Sequence, residues 1–570
     1  MTLIFTGITS IFSSMFKSSR KGIFTILIIA SIFLLINDLK YIIMLNPVAL
    51  SDVHFLNTSN IGTAGLYLKT VNGSWIIKTI IKFLIMIFIS FGALKMLKKD
   101  KEEYSLKTRL IGFFLPIILI GLFFIVSTKN SLFMVKHIYN YDFEKVLSTS
   151  DYGKVYYEEG LYQGIIYNHY ASNVHRPDDY NKEKAIKLLD NMKKDPNYNG
   201  SFGKPNIVII LSESFSDITN IDEVTFDQDI LSNIHSLEKQ SDAVVTNTHV
   251  STFGGSSVIS EWEILTSSSN NFNPAGYISY TAYYKDKRIN NIKKSPNIIR
   301  LLDDEGYITK YITPWAGESY NSSKVYKMLG ATDIKYDLKG EKKGFYVSDE
   351  SINRSIISEL KKNTDKPKLL VYATSENHMP CSEDKFDKYD ISVKSSKLSK
   401  ADTKLLKCYA QGVYDADKAL GELYNQVKEL DQNTIVIFYG DHLPFITNDA
   451  GENAYLLPKY FNTRNKDIND LRKYTTKGVI FSNYLTNLDQ SINYINLNYL
   501  SAYVFANLDI KNNEYFKYVD SLKNDIPVFS KTYTYENNQI IPYKNMDKEK
   551  LKKLREFRNV QYYSFYDNLK

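Results

Sequence analysis

The N-terminal part of the chain contains three long, predominantly apolar runs, at residues 22–37, 75–97 and 111–127. Their lengths approach or reach the roughly 20 apolar residues that a helix needs to cross a bilayer. A shorter apolar stretch at residues 1–16 contains several Ser and Thr, so both a short span and a helix in the membrane interface remain open for it. The pattern predicts a protein integral to the membrane, anchored by residues 1–129 through three spans and an undecided fourth.

Lysine and arginine between these runs predict which way the anchor faces. Loops rich in Lys and Arg stay on the cytoplasmic side of a membrane. The basic residues that precede the first clear span or separate the next two are Lys17, Arg20, Lys21, Lys95, Lys98, Lys99, Lys101, Lys107 and Arg109. Because one span follows the second basic loop, we expect a multi-pass protein of the cell membrane in which everything beyond Lys129 is extracellular. An outer domain has no access to ATP, which favours a lipid-borne donor over a nucleotide.

Beyond the anchor, short apolar runs alternate with longer amphipathic stretches. Residues 130–204 form a connecting segment with one helical pattern at 182–194, and residues 401–430 predict a long amphipathic helix. The apolar runs that predict strands are residues 206–211, 243–248, 307–313, 368–374, 434–440 and 478–483. This alternation predicts an α/β domain over residues 205–510 with a largely parallel sheet, followed by a C-terminal tail at 511–570.

Several of the predicted strands are followed directly by reactive side chains. Glu213 follows the first strand, the turn at residues 254–257 follows the second, and His378, Asp441 and His442 follow two later ones. In an open parallel sheet, ligands bind beyond the carboxyl ends of the strands. The sequence therefore predicts one site built from several strand ends.

Glu213, Asp441 and His442 form a candidate metal-binding set. Two carboxylates and one imidazole suit Mn²⁺, Mg²⁺ or Zn²⁺. The alternative is that these are polar loop residues in solvent, since an Asp-His pair alone is common. Their position at two strand ends favours one bound divalent metal.

Ser257 is the candidate nucleophile. A seryl hydroxyl reacts readily only when its pKa is lowered, and coordination to a metal does this while also neutralising charge on an attacked phosphate. Gly254 and Gly255 let the backbone approach a ligand closely, and the helical pattern at 260–265 adds exposed N–H groups. The alternative is a glycine turn in which Ser256 or Ser257 only caps a helix.

Two histidines and one glutamate near these strand ends are weaker candidates for a catalytic role. His378 can protonate a leaving alkoxide or hydrogen-bond a phosphoryl group, although a lone His after a strand is more often structural. His249 and Glu261 lie near the nucleophile in the sequence. We expect both to serve packing or hydrogen bonding.

Charge and cysteine content argue against a nucleic-acid partner and against a disulfide framework. The 570 residues include 70 Lys and Arg and 63 Asp and Glu, which give a net charge of +7 scattered along the chain. A charge so small and dispersed indicates no nucleic-acid partner. The two cysteines, Cys381 and Cys408, exclude a disulfide framework but leave one bridge open in an oxidising compartment.

Four motifs together resemble the lipoteichoic acid synthase and phosphoglycerol transferase family, part of the sulfatase and alkaline phosphatase superfamily. They are NIVIILSESFSD at 206–217, GGSSVISEWEIL at 254–265, SENHMP at 375–380 and the most specific, FYGDHLP, at 438–444. The resemblance covers nearly the whole chain, because that family also has several spans before an outward sulfatase-like domain. It implies that Glu213, Ser257, Asp441 and His442 hold Mn²⁺. It also implies that Ser257 replaces the family's nucleophilic threonine and that His378 lies beside the substrate.

One segment departs from the family's pattern. Where the family reads like SFWNRDKVY, with Trp and Arg holding glycerol phosphate, residues 318–326 read ESYNSSKVY. Tyr320 stands at the Trp position and Ser322 at the Arg position, while Trp315 falls near an expected Asp. Trp315 and Tyr320 are therefore the expected substrate-binding residues, together with His378. Lys324 is only a point-charge substitute for the missing bidentate clamp.

The resemblance implies a two-step phosphotransferase. Ser257 would take phosphoglycerol or a related phospho-alcohol from a membrane lipid and pass it to a glycopolymer of the cell envelope or cell wall. Two alternatives stay open: a phosphodiesterase or sulfatase that passes the group to water, and a catalytically silent surface protein that binds glycan or lipid. Against a sulfatase, residues 257–260 lack the Cys/Ser-x-Pro-x-Arg setting of that branch.

Overall fold

The fold is taken from a computed structural model of the protein. It describes residues 2–44, 47–48, 73–98, 104–129, 156, 160–171, 174–273, 277–280, 295–317, 319–444, 446, 457 and 471–568. Lys99, Lys101, Glu318 and part of the connecting segment lie outside these residues.

Four apolar helices are present in the described residues of the N-terminal part. They are α1 (Thr2–Phe16), α2 (Ser19–Met44), α3 (Gly73–Met96) and α4 (Leu106–Lys129). The segments Ser19–Tyr41, Gly73–Met96 and Leu106–Ser127 are long and apolar enough to cross a membrane, which confirms three apolar helices at the predicted spans. The undecided stretch forms α1, which is shorter than these and packs against α2 and α4. Arg109 of α4 donates to the carbonyl of Ser14 at 2.9 Å.

The rest of the described chain forms an α/β domain. Its strands are β1 (Asn206–Ser212), β2 (Val224–Phe226), β3 (Ala243–His249), β4 (Ile308–Ile312), β5 (Asp333–Lys335), β6 (Lys342–Lys343), β7 (Tyr346–Val347), β8 (Lys368–Ala373), β9 (Val393–Ser395), β10 (Thr434–Gly440), β11 (Thr475–Ser482), β12 (Tyr494–Asn496), β13 (Val528–Phe529), β14 (Tyr533–Glu536) and β15 (Gln539–Pro542). Eight of them form the central sheet in the order β12-β3-β11-β10-β1-β8-β4-β5. Each of the six predicted runs lies on a strand of this sheet.

The central sheet is largely parallel, as predicted. The exception is β11, which runs antiparallel to both of its neighbours, β10 and β3. Because β10 and β3 are both antiparallel to β11, they run in the same direction as each other. β1 is parallel to β10, so all three strands share one direction. The carboxyl ends of β1, β3, β8 and β10 therefore lie along one edge, and the reactive residues follow these ends.

Helices cover both faces of this sheet. Those of the domain are α5 (Leu161–Ala171), α6 (Lys182–Met192), α7 (Ser232–Leu237), α8 (Ser257–Thr266), α9 (Ile298–Asp304), α10 (Ser322–Leu329), α11 (Asp349–Lys361), α12 (Lys400–Lys428), α13 (Leu497–Asn507), α14 (Glu514–Ser521) and α15 (Lys548–Tyr562). Short 3₁₀ helices lie at Asn270–Phe272, Ser319–Asn321 and Tyr543–Asn545, and a π-helix lies at Tyr563–Asp567. The predicted long amphipathic helix is confirmed as α12.

Alternate residues of the strands feed two hydrophobic cores. Ile207 and Ile209 of β1 face a core that contains residues of α8, α9, α10, α13, α14 and α15. Val208 and Ile210 face a second core, which contains residues of α7, α11 and α12. Strands buried on both faces explain why the runs are continuously apolar in the sequence.

Residues 511–570, expected as a C-terminal tail, are folded onto the domain. They form α14, the antiparallel sheet β13-β14-β15, and α15. Phe557 and Phe565 are buried in the same core as β1. The predicted helix of the connecting segment, α6, packs against α14 and α15.

The two cysteines lie in the second core. Cys381 and Cys408 are buried free thiols whose side chains interact. Burial raises the pKa of Cys381 well above its usual range.

Gly440 ends β10 where two chain segments pass very close to each other. A Cβ added at Gly440 would lie 1.9 Å from the carbonyl oxygen of Phe215. We expect Gly440→Ala to lower the free energy of unfolding by about 1–3 kcal/mol, the usual range for overpacking. The midpoint of thermal unfolding of the full chain in detergent measures this change.

Gly92→Ala in α3 is the matched control, because a Cβ there meets no heavy atom within 4 Å. Its midpoint should stay at the wild-type value or rise slightly. A Gly440→Ala variant as stable as wild type would contradict the close approach between β10 and residue 215.

Candidate metal centre and nucleophile

The carboxyl ends of β1 and β10 place three candidate ligands side by side. These strands pair in parallel with Ser212 opposite Gly440, so the residues that follow them leave the sheet at the same level. Glu213, Asp441 and His442 each offer one ligand atom, and these atoms lie within 4.8 Å of one another. All three side chains are buried. The fold thus brings together the three residues singled out from the sequence.

The orientation of His442 directs its Nε2 at the centre of this set. Nδ1 of His442 donates to the carbonyl oxygen of Leu443 at 3.0 Å, so in the neutral ring Nε2 carries a lone pair. Nε2 lies 3.2 Å from Oδ2 of Asp441. That buried oxygen accepts no hydrogen bond from any residue that the structure describes. Buried lone pairs that face each other are unfavourable without a cation between them, so the set fits a divalent metal.

Backbone N–H groups and a hydroxyl hold the two carboxylates in place. Oδ1 of Asp441 accepts hydrogen bonds from the backbone N–H groups of Ser214 at 2.8 Å and of His442 at 3.0 Å. Oε1 of Glu213 accepts one from the Ser214 hydroxyl at 3.0 Å. Burial raises the pKa of Glu213 well above its usual range, and the charge of Asp441 raises it further. A divalent cation would remove this repulsion and keep both carboxylates ionised.

Ser257 is the first residue of α8 and lies beside the ligand set. Its Oγ is 3.3 Å from Nε2 of His442. The helix is tied to the loop after β10, because the Ser260 hydroxyl donates to the carbonyl of Asp441 at 2.6 Å. The start of a helix also presents unpaired backbone N–H groups, which favour an anion next to this hydroxyl.

The turn before Ser257 has a left-handed backbone. Gly254 has a φ of 74° and Ser256 a φ of 65°. Glycine adopts this conformation without strain, whereas serine does not, and strain of this kind is concentrated at functional sites. The N–H of Gly254 donates to the carbonyl of Leu443 at 2.9 Å, which joins this turn to the metal-side loop.

Tyr409 of α12 supports the loop that follows β1 and carries Glu213. The sequence did not mark it as a site residue. Its hydroxyl donates to the carbonyl of Ser214 at 2.6 Å and lies 2.7 Å from the Ser216 hydroxyl. Ser214 itself has a left-handed φ of 54°. In the sequence, Tyr409 is one member of the apolar stripe of α12, and helical spacing does not reveal which member has a polar task at its tip.

His378 belongs to a group of three contacting rings, which we call the aromatic wall: Trp315, Tyr346 and His378. The ring centroids of Trp315 and His378 are 4.7 Å apart, those of Tyr346 and His378 are 5.5 Å apart, and those of Trp315 and Tyr346 are 5.7 Å apart. Nδ1 of His378 donates to the carbonyl of Met379 at 2.7 Å, which leaves Nε2 as the unprotonated nitrogen of a neutral ring. Burial lowers the pKa of His378 to about 4. Tyr346 was missed because no reactive motif surrounds it.

The departing segment lies next to the nucleophile turn. Tyr320 has a left-handed φ of 51° and its side chain hydrogen-bonds with Ser256. Ser322, which stands at the expected Arg position, is buried and donates to the carbonyl of Gly317 at 3.4 Å. Lys324 is exposed. Tyr320 thus lies near Ser257, and position 322 holds a serine where the resemblance led us to expect an arginine.

Glu261 and His249 have the packing and hydrogen-bonding environments expected of them. Glu261 is buried and accepts hydrogen bonds from Tyr280 at 2.8 Å and from Tyr326 at 2.5 Å. His249 is buried, with the rings of Tyr474 and Tyr533 about 6 Å from its own.

Comparison with known proteins identifies the domain. The sulfatase family model matches residues 205–509. The structure of Streptococcus pyogenes phosphoglycerol transferase GacH in complex with sn-glycerol-1-phosphate aligns with a TM-score of 0.55 and 22% identity, over 68% of this chain and 94% of that chain. The lipoteichoic acid synthase LtaP from Listeria monocytogenes aligns with a TM-score of 0.47 and 21% identity, over 66% of this chain and 97% of that chain.

The chain is also similar in sequence to a Rhizobium meliloti protein that is named for cyclic beta-1,2-glucan modification. It is 31% identical over 286 residues. The alignment spans 49% of this chain and 42% of the relative, so the chain matches less than half of that protein's length.

The buried imidazole of His249 makes stability depend on pH. Burial lowers its pKa to about 3, whereas an exposed histidine has a pKa of about 6.5. Between these values the unfolded chain binds a proton that the folded chain excludes, so the contribution of this group to stability is complete above about pH 6.5 and is lost as the pH falls. The loss is up to about 1.4 kcal/mol per pH unit.

We expect the midpoint of thermal unfolding of wild type to fall more steeply between about pH 7 and about pH 5 than that of His249→Phe. The phenylalanine keeps a flat ring between the two tyrosines but has no titratable nitrogen. Curves that stay parallel over this range would show that His249 is not held neutral by burial.

Proposed function

The match over residues 205–509 shows that the chain belongs to the sulfatase family, and on that basis we propose that it is a membrane-anchored, metal-dependent phosphotransferase with Ser257 as its nucleophile. The observation that carries the proposal is the position of the Ser257 hydroxyl, 3.3 Å from Nε2 of His442. That nitrogen belongs to a buried donor set whose lone pairs converge. A hydroxyl at this place fits a metal-activated nucleophile better than a helix cap.

Glu213, Asp441, His442 and Ser257 would hold the metal, which we propose to be Mn²⁺, with Mg²⁺ or Zn²⁺ as alternatives. Such an ion lowers the pKa of a coordinated hydroxyl and neutralises charge on an attacked phosphate. The N-terminus of α8 adds backbone N–H groups on the side from which Ser257 acts. Backbone N–H groups held in place by a helix are suited to the extra negative charge of a pentavalent phosphorus.

The first half-reaction takes a phospho-alcohol from a membrane lipid. Oγ of Ser257 forms a bond to phosphorus, the bond from phosphorus to the lipid's glycerol oxygen breaks, and the proton of Ser257 ends on that leaving oxygen. In the second half-reaction a glycopolymer hydroxyl attacks the same phosphorus and Ser257 is released with a proton. Nε2 of His378 is unprotonated, which suits it to take the proton of the attacking hydroxyl better than to give one.

The aromatic wall offers a ring surface to the alcohol of the transferred phosphate. Its ring centroids are 4.7–5.7 Å apart, so the rings contact one another and do not form a cage around a quaternary ammonium. A polyol such as glycerol can instead lie against the outer side of Trp315, with Tyr320 on the side of the nucleophile turn.

The relatives support phosphoglycerol as the transferred group and a glycan as the acceptor. GacH was solved with sn-glycerol-1-phosphate, and the Rhizobium meliloti protein is named for glucan modification. The three membrane-capable helices would keep the enzyme in the plane of its lipid donor. With the basic loops in the cytoplasm, the catalytic domain would face the cell envelope, where such acceptors lie.

The family name does not make sulfate the substrate. The serine at position 257 is followed by Val258, Ile259 and Ser260 rather than by the Pro and Arg of sulfatases whose nucleophile is oxidised. The complete ligand set, in turn, gives no support to a catalytically silent binder.

Ser257→Ala should abolish the covalent step. The test is intact mass spectrometry of the full chain after incubation with Mn²⁺ and mixed envelope phospholipids. Wild type should gain the mass of the transferred group, and that mass identifies the group. Ser257→Ala should gain nothing and release no head group from lipid.

Ser256→Gly is the matched control, because glycine suits the left-handed backbone at that position. It should form the adduct as wild type does. An adduct that persists in Ser257→Ala and disappears in Ser256→Gly would transfer the nucleophile's role to Ser256.

A further inference from the structure

Lys385 is a buried lysine next to the aromatic wall. Its side chain is 2% exposed. Its Nζ donates to the carbonyl of His378 at 3.0 Å and lies 5.0 Å from the ring centroid of Phe386 and 5.9 Å from that of Tyr346. The ammonium also acts electrostatically on the carboxyl of Glu213 and on the ring of His378. A positive charge thus lies beside the substrate-side histidine and acts electrostatically on a candidate metal ligand.

The ammonium of Lys385 has fewer polar partners than those of three other buried or half-buried lysines. Lys368 donates to three carbonyls, at 2.9, 2.9 and 2.5 Å. Lys523 pairs with Asp520 at 3.0 Å, and the half-buried Lys343 pairs with Asp415 at 2.7 Å. The ammonium of Lys385 donates one hydrogen bond and forms no ion pair among the residues that the structure describes.

A buried ammonium with unused donors is unfavourable unless an anion comes to it. Three N–H groups are available on a lysine, and the carbonyl of His378 uses one of them. Two buried carboxylates act electrostatically on this ammonium, Glu213 and Asp349. Glu213 already faces the candidate metal, and neither carboxylate forms an ion pair with Lys385 in the described part of the chain. The counter-ion for Lys385 is therefore expected to arrive from outside the protein.

We propose that Lys385 binds the negatively charged phosphate of the substrate beside His378. It would do so in place of the arginine that the chain lacks at position 322. Ser322 cannot supply this charge, and the exposed Lys324 does not have the buried surroundings that strengthen an ion pair. A lysine is a point charge rather than a planar fork, so it holds phosphate without fixing the orientation of the attached alcohol. This role rests on the proposed phosphotransferase function and widens the range of phospho-alcohols that the site can accept.

The test is binding of inorganic phosphate to the Mn²⁺-loaded full chain in detergent, measured by calorimetry. Lys385→Gln keeps an N–H donor for the carbonyl of His378 but removes the charge. We expect it to weaken phosphate binding by about tenfold or more, since a charge-assisted bond to phosphate is lost. Lys385→Arg, which keeps the charge, should recover most of the affinity, and the metal content should stay at the wild-type level in both variants.

Lys324→Met is the control for an unspecific loss of positive charge, and it should bind phosphate as wild type does. Phosphate affinity in Lys385→Gln equal to that of wild type, with the metal retained and the thermal midpoint unchanged, would reduce Lys385 to a structural role. If Lys385→Gln does not fold, Lys385→Arg is compared with wild type instead. A folded Lys385→Arg variant that no longer binds phosphate would contradict a role for the charge.

The outcome is separable from that of the proposed function. A wild-type adduct on Ser257 that forms equally fast in Lys385→Gln would leave the transferase proposal intact and overturn this one. If phosphate binding depends on Lys385 but wild type forms no adduct, the transferase proposal is overturned and the role of Lys385 in binding phosphate stands.

Discussion

Two carboxylates and an unprotonated imidazole nitrogen share one buried space at the ends of two neighbouring strands. Glu213 and Asp441 repel each other there, and burial makes the repulsion stronger because little water screens it. Oδ2 of Asp441 and Nε2 of His442 face each other with lone pairs. One divalent cation relieves all of these contacts together. The same cation would make the hydroxyl of Ser257 a usable nucleophile.

Much of the surrounding structure serves to hold that arrangement. The parallel register of β1 and β10 sets Glu213 and Asp441 at one level, and Gly440 allows β10 to approach residue 215 closely. The hydroxyl of Tyr409 fixes the strained residue Ser214 from α12, and Ser260 ties α8 to the loop after β10. Strands, helices and turns thus converge on a few ångströms of space, which is typical of sites on doubly wound sheets.

The sequence predicted the parts of this site that lie in local patterns. Continuous apolar runs marked the strands, and reactive residues directly after them marked Glu213, Ser257, Asp441 and His442. Tyr346 escaped notice because it reaches His378 from a segment without a motif, through a contact between residues far apart in the chain. Lys385 is only seven residues from His378, but the local sequence does not show that its side chain is buried beside that histidine. Residues 511–570 were predicted only as a tail because no reactive motif marks them, yet Phe557 and Phe565 fill a core that other elements build.

The substrate side of the site combines a loss with a replacement. Position 322 holds a buried serine instead of an arginine. Trp315 contacts the ring of His378, and the buried ammonium of Lys385 donates to the carbonyl of the same histidine. A planar clamp is thereby exchanged for a ring surface and a point charge. If Lys385 binds phosphate as proposed, this exchange would keep recognition of phosphate and relax recognition of the attached alcohol. It would explain why the chain keeps the candidate metal ligands while it departs from the expected pattern in one short segment.

The most direct test of this account is an anomalous-difference map from crystals of the full chain grown with Mn²⁺, recorded at the manganese edge. We predict a single strong peak about 2.0–2.3 Å from Glu213, Asp441, Nε2 of His442 and Oγ of Ser257. A peak with that coordination would establish Ser257 as a metal-bound hydroxyl. Absence of a peak at these residues in crystals soaked to saturation, or a peak that Ser257 does not reach, would contradict the central claim.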